Sequence, residues 1–191
     1  MDTELNQNLI KAKDLWSKKS YRESLDCALN SAGKGHAESQ VFVGWLYLKG
    51  EQSIERNLDE SIKWLSLAAN SGSSVGHYLL GIAYYYSSNY DQALTEFTTA
   101  SKMNYFAADY QIGKMYYSGV GTQKDIEKSY EYFLTAKNQG HLFAGRQVAV
   151  MLMKGHKGVL NIFKGFVLFI TTIVSGFILA FKEPDSEKLY E

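Results

Sequence analysis

The chain of 191 residues contains one cysteine, Cys27, and one proline, Pro184. A single thiol excludes any intramolecular disulfide and fits a reducing compartment. With no proline before position 184, nothing in the body of the chain must break a helix. A surplus of either charge is also missing, since 20 basic side chains face 20 acidic ones. That balance argues against nucleic acid as a partner, because displacing counterions from phosphates needs excess Lys and Arg. The first residues, MDTELNQNLIKAKD, put acids first and hold no apolar core of signal-peptide length, so no secretory signal is expected.

Catalytic signatures are equally scarce. His36, His77, His141 and His156 fall outside any paired metal-ligand spacing, and no second cysteine exists to join them. No nucleophile elbow, phosphate loop or dinucleotide fingerprint occurs, and Gly119-Val-Gly121 falls where a turn between helices is expected. No catalytic residue, metal site, cofactor or small-molecule substrate is therefore expected, and the chain reads as a binding protein and not an enzyme.

What the chain has in quantity is aromatic residues (Tyr 14, Phe 10, Trp 3) and 16 glycines, its only strong punctuation. It also has one long apolar run, Val159 to Phe181, reading VLNIFKGFVLFITTIVSGFILAF and free of charge from Gly165 onward. About 20 apolar residues suffice for a helix to cross a bilayer core of roughly 30 Å. Lys164 lies near one end, where its stem can carry the ammonium to the headgroups. The run is therefore expected to be a transmembrane helix over 159–181. Lys154, His156, Lys157 and Lys164 lie on its N-terminal side and an acid-rich tail follows, which places the N-terminal part in the cytoplasm.

Four segments before this run align: Val43–Gly50, Leu80–Ser87, Ile112–Gly119 and Val148–Gly155. Each carries a small residue (Gly44, Gly81, Gly113, Ala149), and these are spaced by 37, 32 and 36 residues, a period of helical-hairpin arrays. Nine residues upstream sits Gly35, Gly72, Asn104 or Gly140, each able to adopt a left-handed backbone and end a helix. Windows at Ser61–Gly72, Ala93–Asn104 and Ser129–Gly140 read as second helices, with Leu65, Phe97 and Phe133 in register. Leu5–Lys18 and Tyr21–Ala32 read as a further pair, with Ser24, Ala28 and Ser31 on the same grid. The middle unit has the shortest loop, SSNYD.

On these residues the chain resembles the Sel-one-like repeat family, a relative of the tetratricopeptide proteins. The best unit, Ala108–His141, carries the run A-x-x-x-I-G-x-x-Y-x-x-G-x-G, with Asp125 in the connecting loop. The unit at Ser39–Gly72 keeps Gly44, Tyr47, Gly50, Asp59 and Trp64. The resemblance implies an all-α fold, a right-handed αα-hairpin solenoid of about four helix pairs over 1–158. The transmembrane helix, 159–181, takes the slot of a missing second helix, and a short polar tail, 182–191, follows.

The family relationship further implies that first helices line a concave face. Carried over residue by residue, Trp45, Tyr78, Tyr85, Tyr110, Lys114, Tyr117 and Arg146 become candidate partner-binding positions. The alternative is that the tyrosines only pack between helices. An aromatic surface with a cationic end suits a peptide or helix with apolar anchors and an acidic group. The expected function is a protein-binding scaffold at a membrane, in the bacterial inner membrane by family occurrence. An immunity or inhibitor protein that neutralises a toxin by direct binding is the alternative.

Overall fold

The computed structural model describes residues 2–182, and every regular element among them is helical. In chain order these are α1 (Asp2–Ser17), α2 (Tyr21–Gly33), α3 (Ala37–Lys49), α4 (Leu58–Asn70), α5 (Ser74–Tyr86), α6 (Tyr90–Lys102), α7 (Ala107–Ser118), α8 (Ile126–Asn138), α9 (Leu142–Met153) and α10 (Ile162–Lys182). Consecutive helices pair as hairpins, giving an all-α helical-hairpin solenoid. They form two compact units, Met1–Met103 with α1 to α6 and Asn104–Glu191 with α7 to α10.

The helix ends follow local chemistry. Gly35, Gly72 and Gly140 have φ of 86°, 83° and 91°, and Asn104 adopts 63° at the same repeat position. Asparagine substitutes there because its short side chain tolerates the left-handed region better than other L residues do. In the shortened middle loop the left-handed residue is Ser88, at φ 64°, one position beyond Ser87, which holds the place of Gly50 and Gly119 in the neighbouring repeats. Asn57 and Asp125 cap α4 and α8: the Asn57 side-chain oxygen accepts from the Glu60 amide at 3.0 Å, and Asp125 Oδ1 from the Lys128 amide at 2.9 Å. The cap in the first full repeat is thus Asn57, while Asp59 lies in the first turn, where an acid faces the positive end of the helix dipole.

Within each hairpin a small residue on the first helix meets a large one on the second. A Cβ added at Gly44 would lie 2.5 Å from Leu65 Cγ, one at Gly81 2.7 Å from the Phe97 ring, and one at Gly113 2.7 Å from the Phe133 ring. Leu65, Phe97 and Phe133 are buried to 2% exposure or less. Buried serines add a polar link at the next position of the grid. Ser24 Oγ donates to the Ala12 carbonyl at 2.7 Å, and Ser61 Oγ to the Gly44 carbonyl at 2.8 Å. The donor is satisfied by the very backbone that the small residue exposes, so the hydroxyl is buried without the cost of an unpaired group.

The expected membrane-spanning helix is corrected. Among the described residues no helix is long and apolar enough to cross a membrane. The apolar run is not one uninterrupted helix: Gly158 turns at φ 95°, Val159–Asn161 form a 3₁₀ turn, and α10 starts only at Ile162. Lys164 then lies in the first turn of α10. Moreover, α10 packs along α9 as the second helix of a fifth hairpin. A Cβ on Gly165 would lie 2.8 Å from both the Ala149 carbonyl oxygen and the Met153 amide nitrogen, and one on Gly145 2.8 Å from Thr172 Cγ2. Gly165, Phe169 and Thr172 repeat the spacing of Ser129, Phe133 and Ala136 in α8. The slot assigned from the sequence is therefore occupied, by a helix that belongs to the repeat packing. The expected polar tail beyond Lys182 lies outside the described residues.

Candidate partner-binding surface

In the first unit, α3 and α5 carry three of the candidate residues. Trp45 packs edge-on against Trp16 of α1, with ring centroids 5.0 Å apart, and stacks on Phe42 at 5.8 Å. Lys49, one turn further along α3, sits over both indoles at 5.0 and 5.3 Å. Tyr85 packs edge-on against Tyr90 and Tyr86, and the Arg56 guanidinium covers the Tyr86 ring at 4.4 Å. Tyr78 is different: it is only 8% exposed, 5.9 Å from the Phe97 ring, and belongs to the core. It packs between helices and presents no surface to a partner.

In the second unit, Tyr110, Lys114 and Tyr117 follow one another at i, i+4 and i+7 on α7, which puts them on one stripe. The Lys114 ammonium lies 5.5 Å above the Tyr110 ring and bonds Gln111 Oε1 at 3.2 Å. Desolvation there lowers the lysine pKa. Tyr117 is 38% exposed, with Lys124 over its ring at 5.9 Å and the Lys154 ammonium donating to its hydroxyl at 3.4 Å. Arg146 is exposed on α9. Tyr110 is half-buried, 5.6 Å from the Phe133 ring, while Tyr117 is exposed, and each ring has a cation at its face, an arrangement worth about 0.5–1 kcal/mol at exposed sites.

Three participants escape a reading of the repeat grid. Trp16 and Lys49 complete the first aromatic cluster, and Arg56 belongs to an irregular loop, so helical spacing marks none of them. His141 caps α9, its Nδ1 accepting from the Ala144 amide at 3.2 Å, and its ring stacks on Tyr110 at 4.4 Å. Desolvation by burial lowers its pKa from 6.5 to about 4. A neutral ring is also what the cap requires, because the accepting nitrogen must be unprotonated.

This gives a pH dependence with a definite sign. Above about pH 6.5 the histidine is neutral in both states, so it contributes no slope. Between about 6.5 and about 4 the unfolded chain binds a proton that the folded chain refuses, so stability falls as pH falls through that window. In His141→Asn, which retains an acceptor for the cap but cannot titrate, this part of the slope is expected to vanish. Urea midpoints measured at pH 7 and at pH 5 in both proteins check it; equal losses would remove His141 from the account.

Among the described residues no group of three His, Cys, Asp or Glu side chains is placed to hold a metal ion.

The Sel1 repeat family matches two stretches, residues 37–73 and 107–141, the α3–α4 and α7–α8 hairpins with their flanking turns. Three solved structures share the architecture. One is c5321, a protective antigen of uropathogenic Escherichia coli displaying an SLR fold (20% identity, TM-score 0.79, covering 88% of this chain and 38% of that one). A Sel1 repeat protein from Oxalobacter formigenes is 21% identical, with a TM-score of 0.73 over 88% of this chain and 68% of the other. A third, described as a sel1 repeat protein from Klebsiella pneumoniae, is 19% identical, with a TM-score of 0.61 over 94% and 90% of the two chains. The chain thus spans 38% of the length of the Escherichia coli protein that it matches. The stretches 37–73 and 107–141 match the Sel1 repeat family, and the hairpin period and small-residue contacts agree with the helical-hairpin fold that these structures share.

Proposed function

We propose that this chain is a protein-interaction scaffold that binds an acidic peptide or helix bearing apolar anchors. Sel1 repeat proteins generally act as protein-interaction scaffolds, and residues 37–73 and 107–141 of the chain match that repeat. The observation that supports the chemistry of the ligand is the α7 stripe, where Tyr110 and Tyr117 are each faced by lysines. An apolar anchor packs against a ring edge, while a neighbouring carboxylate pairs with the ammonium over its face. The lysines also set selectivity, since they repel a basic partner. Trp45 with Lys49, and Tyr85 beside the Arg56-covered Tyr86, repeat the same pairing in the first unit.

Selection of displayed random peptides on the immobilised full chain tests this. Recovered sequences are expected to combine Asp or Glu with Leu, Phe or Trp. Replacing Tyr117 by Ala should weaken a selected peptide by ~2 kcal/mol, roughly thirtyfold. Lys114→Glu should weaken it comparably by reversing the charge, while circular dichroism stays unchanged because both side chains are exposed. Selection of basic peptides, or identical affinities for both variants, would overturn the reading.

A further inference from the structure

The outer face of α10 gathers eight exposed large apolar side chains of the described residues. Phe163, Phe166, Ile170, Val174 and Phe177 are 76%, 54%, 59%, 50% and 65% exposed, and Val167, Ile173 and Ile178 continue the same face. At about 100° per residue these eight positions cover an arc of roughly 140°. Soluble surfaces rarely leave an apolar patch of more than a few hundred Å² without a use for it.

We propose that this face lies in the headgroup–acyl boundary of an anionic membrane, with α10 parallel to the surface and not across it. Four observations select a lipid surface over a protein one. First, Gly165 and Thr172 point the other way, seated against α9. The outer face is built only from Phe, Ile and Val, with no small residue to let a second helix approach closely, whereas fluid acyl chains accept any bulky apolar contour.

Second, the hydroxyls of the helix are turned back onto its own backbone. Thr171 Oγ1 donates to the Leu168 carbonyl, Thr172 Oγ1 to Phe169 and Ser175 Oγ to Thr171, at 2.9, 2.9 and 2.8 Å. No hydroxyl among them is left seeking a partner in an apolar medium. Third, charge is complementary to acidic headgroups. From Tyr132 to Lys182 the chain contains no Asp or Glu, yet it holds Lys137, Arg146, Lys154, Lys157, Lys164 and Lys182, in a protein whose total charge is zero. Arg146, Lys154 and Lys164 are exposed, and such clusters are drawn to anionic lipid surfaces.

The fourth observation fixes orientation. One flank of α10 is covered by α9 at Gly165 and at Thr172, so the helix cannot be ringed by lipid without leaving its hairpin. A helix clamped along one side and apolar along the other is suited to lie in the interface.

Flotation of the purified full chain with vesicles of phosphatidylcholine alone, or mixed with phosphatidylglycerol, tests the proposal. The chain is expected to float with the mixed vesicles and to be released by high salt. Phe166→Ser/Ile170→Ser/Val174→Ser should weaken that binding at least about tenfold with unchanged circular dichroism, and Lys164→Glu should weaken it only on the anionic vesicles. Fluorophores placed at Phe163→Cys, Ile170→Cys or Phe177→Cys, in a Cys27→Ser chain, are expected at one shallow depth by quenching from depth-labelled lipids. A deep central probe with shallow outer ones would instead mean a span and overturn the proposal. It would equally be overturned by vesicle binding that the triple variant retains, or by a dimer without vesicle affinity that the triple variant abolishes.

Discussion

Replacing Phe97 by Ala is expected to lower the unfolding free energy by about 3–5 kcal/mol, the cost of emptying a buried aromatic site. Phe97 is 1% exposed and lies against Gly81, where an added Cβ would come within 2.7 Å of the ring, and beside Tyr78 at 5.9 Å between ring centroids. The glycine leaves the helix surface flat, and the ring fills that flat. The pairing makes a sharper expectation than a single loss. Gly81→Ala alone should destabilise, because the methyl meets a buried ring with no room to give. In the Phe97→Ala background the same methyl enters the vacated space, and the intrinsic preference of a helix for Ala over Gly, about 1 kcal/mol, is recovered. The effect of Gly81→Ala should therefore change sign between the two backgrounds. Urea unfolding of the four proteins of this double-mutant cycle measures it, and additive effects would show that the two residues do not share a contact.

The second large effect is expected at Gly165. Gly165→Leu drives a side chain into the α9 backbone, where the nearest atoms to a Cβ are the Ala149 carbonyl oxygen and the Met153 amide nitrogen, both at 2.8 Å. Backbone cannot swing aside as a flexible side chain does, so the α9–α10 hairpin should open or distort at a cost of about 3 kcal/mol. Gly176→Leu is the matched control, because nothing lies within 4 Å of a Cβ at Gly176. A helix surrounded by lipid would tolerate both substitutions alike. A disulfide reports the packing directly. The Cβ positions of residues 145 and 172 lie 4.0 Å apart, within the range of disulfide geometry. Gly145→Cys/Thr172→Cys in a Cys27→Ser chain should therefore cross-link under mild oxidation, and adding Gly165→Leu should abolish the cross-link while Gly176→Leu leaves it intact. Equal cross-linking in all three would refute the seat of α10 on α9.

These two sites also show how unevenly the fold was legible. The small residues at Gly44, Gly81 and Gly113 and the large ones at Leu65, Phe97 and Phe133 are visible as a repeating pattern, and the structure joins each small residue to the large one of its own hairpin. Such pairs recur because each hairpin solves the same packing problem with local sequence. The candidate surface was legible in part. Tyr110, Lys114 and Tyr117 do form one stripe, but Tyr78, at the same repeat position as Tyr110, is buried against Phe97. Nothing in the helical period distinguishes the two. Both pack on the large residue of the following helix, at 5.9 Å from Phe97 and 5.6 Å from Phe133, and they differ in how far the ring is covered.

The sequence by itself determined the period of the hairpins, the turns of the first four, and the small and large residues that meet inside them, but not the fifth hairpin, α9–α10. These depend on residues close together in the chain: a left-handed Asn104, a cap at Asp125, a glycine opposite a phenylalanine. Only the tertiary structure decided what the apolar run of 159–181 does. Hydropathy counts apolar residues but not the face on which each stands, and a lipid-crossing helix and a repeat helix with one bare face read alike by that count. Seating Gly165 and Thr172 against α9 divides α10 into a covered side and an exposed one, a division that exists only once α9 is in place.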